Sequence, residues 1–285
     1  MVTVDFPETS YFMEPMLYNQ IHKNIKPALN KNDEDYVMVI DGNEGVGKST
    51  LAFQIARAVD SDFCLDRIVF SPETFRDAVM NAKKGQAIVF DEAITGFSSR
   101  GAMSRINKML TALMMQMRQK NLFVIIVIPT FFLLDKYVAL WRAKVLIHCF
   151  KSKGKRGFFR VYNSKKKKWL YLSGKKLYEY NKVRTRLRGR FYGKFALGVE
   201  IDLVYRKKKE DFLNSTTDRD NESNLGRLEK RYRKGMIILI NTLISKFKLT
   251  QQGVCDILNK YNYKLERSSL SLMLDREGLK DNVDC

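Results

Sequence analysis

The stretch Gly42-Asn43-Glu44-Gly45-Val46-Gly47-Lys48-Ser49 constrains this chain most, because it fits G-x-x-x-x-G-K-[ST] and follows the apolar run Tyr36-Val37-Met38-Val39-Ile40. A buried strand would deliver the chain to a turn whose glycines let backbone N–H groups converge on phosphate oxygens. The next segment, Lys48 to Val59, has apolar residues at helical spacing, so the phosphates would rest on a helix N-terminus. Lys48 would reach the β- and γ-phosphates as a point charge, and the Ser49 hydroxyl would ligate magnesium. Thr50 completes the expected nucleotide-binding set. A chance octapeptide in a glycine-containing loop is the alternative, and it leaves the strand before and the helix after unexplained.

Charge is informative once it is divided along the chain. Residues 1–150 hold 17 Lys and Arg against 16 Asp and Glu, so 19 of the 20 net positive charges fall in residues 151–285. Within 151–194 there are 17 basic side chains and one acid, Glu179, too lopsided for an ordinary solvated face. A polyanionic partner is the economical reading. The four cysteines, Cys64, Cys149, Cys255 and Cys285, show no C-x-x-C spacing, and with His22 and His148 the only histidines no zinc set is expected. Reduced thiols and a soluble, cytoplasmic chain follow as expectations. The longest apolar run, Leu122 to Leu134, is too short to span a bilayer and contains Pro129, so no membrane partner is expected.

Strand and helix signals alternate from the loop onward. Arg67 to Phe70 reads as a short strand, and Ser71-Pro72-Glu73-Thr74 as a capped helix start running to about Lys84. Ala87 to Asp91 reads as a strand buried on both faces, Ala102 to Lys120 as a helix, Leu122 to Ile128 as a strand, Phe131 to Trp141 as a helix and Val145 to Phe150 as a strand. The expected fold is therefore α/β: a three-layer domain with a mainly parallel sheet, within residues 1–150. A basic, aromatic-rich region, 151–213, should follow as a hairpin of Phe158 to Tyr162 and Trp169 to Leu172. Residues 214–224 read as a polar linker and 225–285 as a small helical domain. In that domain Thr250 is placed to cap one helix, while Ser268, Ser269 and Ser271 would project from the first turns of another. The pair suits a helix-turn-helix or, equally, a helical docking or oligomerisation domain.

Asp91-Glu92, at a strand end some forty residues after the loop, supplies the second half of a hydrolytic site. Asp91 would hold the magnesium shell, and Glu92 would polarise the attacking water. A solvent-exposed acid without a catalytic role is the plainer reading of Glu92. Arg118 could stabilise transferred-phosphoryl charge in a neighbouring subunit or simply suit a helix terminus. Thr130, just past the strand Leu122 to Ile128, could sense the γ-phosphate or serve as a turn residue. Lys165, Lys166, Lys167, Lys168, Arg184, Arg186, Arg188 and Arg190 are the expected nucleic-acid contacts, interleaved with rings that either stack on bases or form the apolar face of a small sheet.

The Gly42 to Ser49 loop, the Asp91-Glu92 pair and the strand between them together resemble the additional-strand, catalytic-glutamate class of P-loop ATPases. Within it the arrangement is similar to the HerA/FtsK group of DNA-pumping motors and to phage packaging and assembly ATPases, including the zonular occludens toxin-like branch. The resemblance covers residues 36–150. It implies ATP and magnesium as cofactors, double-stranded DNA as the favoured partner, a homo-oligomeric ring and a viral or mobile-element setting. The chain departs from many such motors at Ile128-Pro129-Thr130, where they place Gln or Asn. An ATP-controlled DNA-binding switch, in replication or partition, is the competing reading. A nucleotide kinase is a third, which leaves Glu92 and the basic half without a role.

Overall fold

The computed structural model describes residues 2–7, 9–91, 107–108, 110–114, 117–192, 195–260 and 266–276. It divides into two compact units, Met1–Thr216 and Thr217–Cys285.

The first unit is built on a seven-stranded sheet in the order β4-β5-β6-β3-β7-β8-β9. The phosphate-loop strand β3 (Tyr36–Gly42) sits near its middle, parallel to β6 (Phe123–Val127) on one side and β7 (Ala143–Ser152) on the other. β5 (Ala87–Phe90) and β4 (Ile68–Val69) extend the parallel part, with β6 inserted between β3 and β5. The sheet then continues antiparallel through β8 (Lys155–Asn163) and β9 (Arg188–Arg190). Apart from these, β1 (Val2–Phe6) and β2 (Thr9–Met13) pair as an antiparallel hairpin.

Strict alternation along the central strands explains the three layers. Met38 and Ile40 enter one core with Leu51, Phe53 and Ile55 of α3 (Lys48–Val59). That core also takes side chains from the lead-in, α1 (Pro15–Gln20) and the π-helical turn Ile21–Ile25, which runs into α2 (Lys26–Asn30). Val37 and Val39 enter a second core with Phe75 and Val79 of α4 (Pro72–Asn81), with Leu110, Leu113 and Met114, and with Leu170 and Tyr171 of α5 (Ser164–Gly174). A strand apolar on both faces is what a sheet covered by helices on both sides requires. The expected cap of α4 is present, since Ser71 Oγ accepts from the Thr74 N–H at 3.1 Å with Pro72 in the first turn.

Two local expectations differ from what is found. The basic hairpin exists, but it joins β7 to β8 through Lys153 and Gly154, both at positive φ, and Trp169 to Leu172 lies in α5 rather than in a strand. Asn163 caps α5, its side-chain oxygen accepting from the Lys166 N–H at 3.0 Å, and Lys167, Leu170, Tyr171 and Gly174 form the buried stripe. Phe131 to Trp141, expected as one helix, instead holds a short 3-10 turn, Phe131–Leu133, and most of a π-helical turn, Val138–Arg142.

Helix α6 spans Val199–Phe247 and includes the segment 214–224 read from sequence as a linker; no proline interrupts it. In the second unit Ile237, Ile240 and Ile244 of α6, Val254 and Cys255 of α7 (Gln251–Lys260), and Leu270 and Leu274 of α8 (Arg267–Arg276) close a small core. Thr250 Oγ1 accepts from the Gly253 N–H at 3.1 Å, the cap expected for α7. The turn at 261–265 lies outside the described residues. Among the described residues no helix is long and apolar enough to cross a membrane.

Candidate active site

The loop Gly42 to Ser49 runs from the end of β3 into α3, with Gly47 at the helix N-cap in the left-handed region at φ +96°. Val46 is buried and pins the loop, while Asn43, Glu44 and Gly45 are exposed. Lys48 Nζ donates to the carbonyls of Gly42 at 2.7 Å and Asn43 at 3.0 Å, so it lies back across the loop it would share with phosphates. The ring of Phe191, just beyond β9, backs Gly47 so closely that a Cβ there would fall 2.9 Å from it. Ser49 and Thr50 occupy the first turn of α3, partly exposed.

Asp91 follows β5 and is fully buried. Ser49 Oγ donates to its Oδ1 at 2.9 Å, which brings the two expected magnesium ligands together across the sheet. The donor set fits the ion: a hydroxyl and a carboxylate meet beside a helix N-terminus, and magnesium takes one or two carboxylates together with phosphate oxygens. With a triphosphate, magnesium would supply charge neutralisation at this point; the chain itself orients the phosphates through the loop N–H groups and Lys48. Among the described residues no cluster of three or more His, Cys, Asp or Glu is placed to hold a metal by itself. Glu92 lies outside the described residues. Arg118 lies in the turn Met117–Lys120, directly before β6, and its side chain is outside the description.

The other oxygen of Asp91 has partners that carry no local sequence signal. Tyr205 OH, from the first turns of α6, donates to Oδ2 at 2.5 Å, and Lys209 Nζ stands 3.5 Å from the same atom. Tyr205 is held by rings on three sides, with centroids 5.0 Å from Phe53, 6.0 Å from Phe70 and 5.5 Å from Phe195.

A second buried carboxylate, Asp41, immediately precedes the loop. It accepts from the Phe131 N–H at 2.8 Å, meets His148 Nδ1 at 2.9 Å and accepts from Tyr180 OH. Thr130 Oγ1 lies 2.9 Å from the same Tyr180 oxygen, so the expected sensing hydroxyl is already engaged with the basic region. Burial, and then the Asp41 charge, raise the Tyr180 pKa and keep the phenol a donor. An acid ending an apolar strand just before the glycine loop was visible in the sequence; its partners, up to 139 positions away, were not.

The basic residues separate. Lys165 and Arg184, Arg186, Arg188 and Arg190 are exposed, and Lys168 lies 4.1 Å from the ring centroid of Trp141. Lys166 donates to the Arg184 carbonyl at 2.8 Å. Lys167 points inward, is fully buried and donates to the carbonyls of Ala139 and Leu140, capping the π-helical turn. Burial, with Lys168 nearby, pushes its pKa down to about 8.

No curated protein matched the chain. The family model described as Novel STAND NTPase 3 matches residues 19–135, from the lead-in helices through the phosphate loop and Asp91 to the start of the π-helical region. The loop on a helix N-terminus, with its hydroxyl joined to a buried aspartate, stands in a P-loop NTPase-like three-layer fold, and over the matched segment the chain is similar to an NTPase family.

Proposed function

We propose that the chain is an ATP-hydrolysing, DNA-binding motor of the additional-strand, catalytic-glutamate class, with Glu92 activating water and Arg118 acting in a neighbouring subunit of a ring. The observation that carries this reading is continuity: the cationic strands β8 and β9 extend the sheet whose carboxyl edge bears the phosphate loop. The position of β6 between β3 and β5 supports the class, and a carboxyl edge shared by nucleotide and polyanion supports the coupling of hydrolysis to DNA. Translocation or packaging of viral or mobile-element DNA is the task that suits such an enzyme.

Hydrolysis of ATP measured alone, with duplex and with single-stranded DNA tests it. Wild-type turnover should rise with DNA, Lys48→Ala should lose turnover, and Glu92→Gln should bind ATP without turning it over. Turnover indifferent to DNA, or wild-type turnover by Glu92→Gln, removes this reading. The second reading, an ATP-controlled switch that grips DNA without travelling, is favoured by the contact of Tyr205 with Asp91, which ties a long helix to the ion-binding carboxylate. Displacement of a blocking protein along DNA separates motor from switch.

A further inference from the structure

Beyond its role as an extension, the strand pair β8–β9 with β7 presents an unusual outer face. The register places Phe150, Phe158 and Arg190 in one cross-strand row and His148, Arg160 and Arg188 in the next. Because side chains alternate, the intervening residues Cys149, Phe159 and Val161 point the other way and are buried in the first core. The neighbouring row, Leu146 opposite Tyr162, is buried in the second core with Leu170 and Tyr171 of α5. The two rows beyond it belong to neither core, and their rings keep partial exposure.

These rows are organised as stacks. Tyr180 lies on His148 with ring centroids 3.7 Å apart and planes 14° apart; His148 stacks on Phe150 at 6.1 Å, and Phe150 on Phe158 at 5.9 Å. Arginines lie over the same rings, Arg160 4.8 Å from Phe150, and Arg190 4.7 Å from Phe158 and 5.1 Å from Tyr192. The β7–β8 turn adds exposed cations, Lys151, Lys153, Lys155 and Arg156. Between Asp135 and Glu200 the sequence holds one carboxylate, Glu179, and it is paired with Lys182 at 3.2 Å.

We infer that this face binds single-stranded nucleic acid, with phosphates on the arginines and lysines and unpaired bases on the rings. The inference rests on the nucleic-acid-binding reading above and makes it specific in place and strandedness. Charge alone would suit any polyanion. Partly exposed aromatic planes flanked by guanidinium groups suit a partner that offers planar faces of its own, which a single strand does and a closed duplex, with its bases stacked inside, does not. The inner row also reaches the nucleotide site, because His148 and Tyr180 both contact Asp41 beside Gly42.

The test uses the full-length protein and fluorescence anisotropy at low salt, with a labelled oligothymidine of about 16 nucleotides and a mixed-sequence duplex of the same length. The single strand should bind more tightly than the duplex. Phe158→Leu keeps an apolar side chain but no π-face, and should weaken single-strand binding at least about fivefold while leaving duplex binding unchanged. Arg190→Gln, at an exposed position, should also weaken it, and supplies the readout if Phe158→Leu fails to fold. Wild-type affinity for the single strand in the folded variants overturns the inference, as does a preference for duplex or equal competition by polyglutamate. Single-strand binding untouched by either substitution, with duplex binding intact, would sink this surface and leave the broader DNA reading standing, whereas binding to neither oligonucleotide would end both.

Discussion

Replacing Gly42 by alanine probes whether the phosphate loop depends on a backbone that only glycine can supply. Gly42 closes β3 at φ +139°, a region that L residues rarely adopt, and holding one there costs about 1–3 kcal/mol. A Cβ at that position would also lie 3.0 Å from the Cys149 carbonyl carbon and closer still to its oxygen. Cys149 is the β-sheet partner of Gly42, so relief requires moving β7 itself rather than turning a side chain. Overpacking of this kind adds about 1–3 kcal/mol. The combined cost, about 2–6 kcal/mol, is a large share of the roughly 5–15 kcal/mol that holds a domain together. For a unit of this size it corresponds to a fall in Tm of roughly 5–20 °C. Gly154→Ala is the control: its φ is +72°, but nothing lies within 4 Å of the added Cβ, so only the backbone cost, about 1–2 kcal/mol, applies. Melting followed by near-ultraviolet circular dichroism, which reports the packed rings of the first unit, should separate the two variants. If Gly42→Ala melts with Gly154→Ala, the close approach of β7 to the loop is not a constraint and the reasoning is refuted.

Three further outcomes are expected. Below about pH 8 the buried Lys167 is protonated in both folded and unfolded chains and its burial penalty is full. As pH rises from there towards the ordinary lysine value of about 10.4, the unfolded chain binds more protons and stability should climb; urea midpoints at several pH values should show this rise in wild type and its loss in Lys167→Met. Tyr205→Phe removes a donor that competes for Asp91, so the magnesium concentration needed for half-maximal binding of a fluorescent nucleotide should fall by up to about tenfold, and an unchanged midpoint would show no competition. Mixing Arg118→Ala with Lys48→Ala subunits should restore some hydrolysis if the arginine acts across a subunit interface; no recovery in a demonstrably mixed oligomer counts against it.

What the sequence revealed and what it hid divide along a physical line. Local signals were legible: the strand into Gly42, the helix Lys48–Val59 and the Ser71 cap all follow from spacing within a few residues. α5 was misread because one position of its buried stripe is a lysine, so four consecutive lysines looked like a solvated turn. The Ala139 and Leu140 carbonyls it caps, with the Phe131 ring 5.9 Å away, make Lys167 tolerable there. Ser49 and Asp91 could be paired from their motifs. Tyr205, Lys209 and Tyr180 could not, because nothing in their surroundings marks a partner more than a hundred residues away.

The placement of Phe191 bears on the order of synthesis. A nascent chain emerges N-terminus first, and the loop Gly42 to Ser49 is made early, yet the ring that backs Gly47 and the hydroxyl that meets Asp91 arrive some 150 residues later. β6 and β7, the neighbours of β3, are translated before that ring and hydroxyl, and their non-local pairings form slowly. A ribosome that stalls after β7 therefore leaves a chain with the complete motif but an unbraced loop, so nucleotide capture is deferred until the aromatic end of the first unit has been translated.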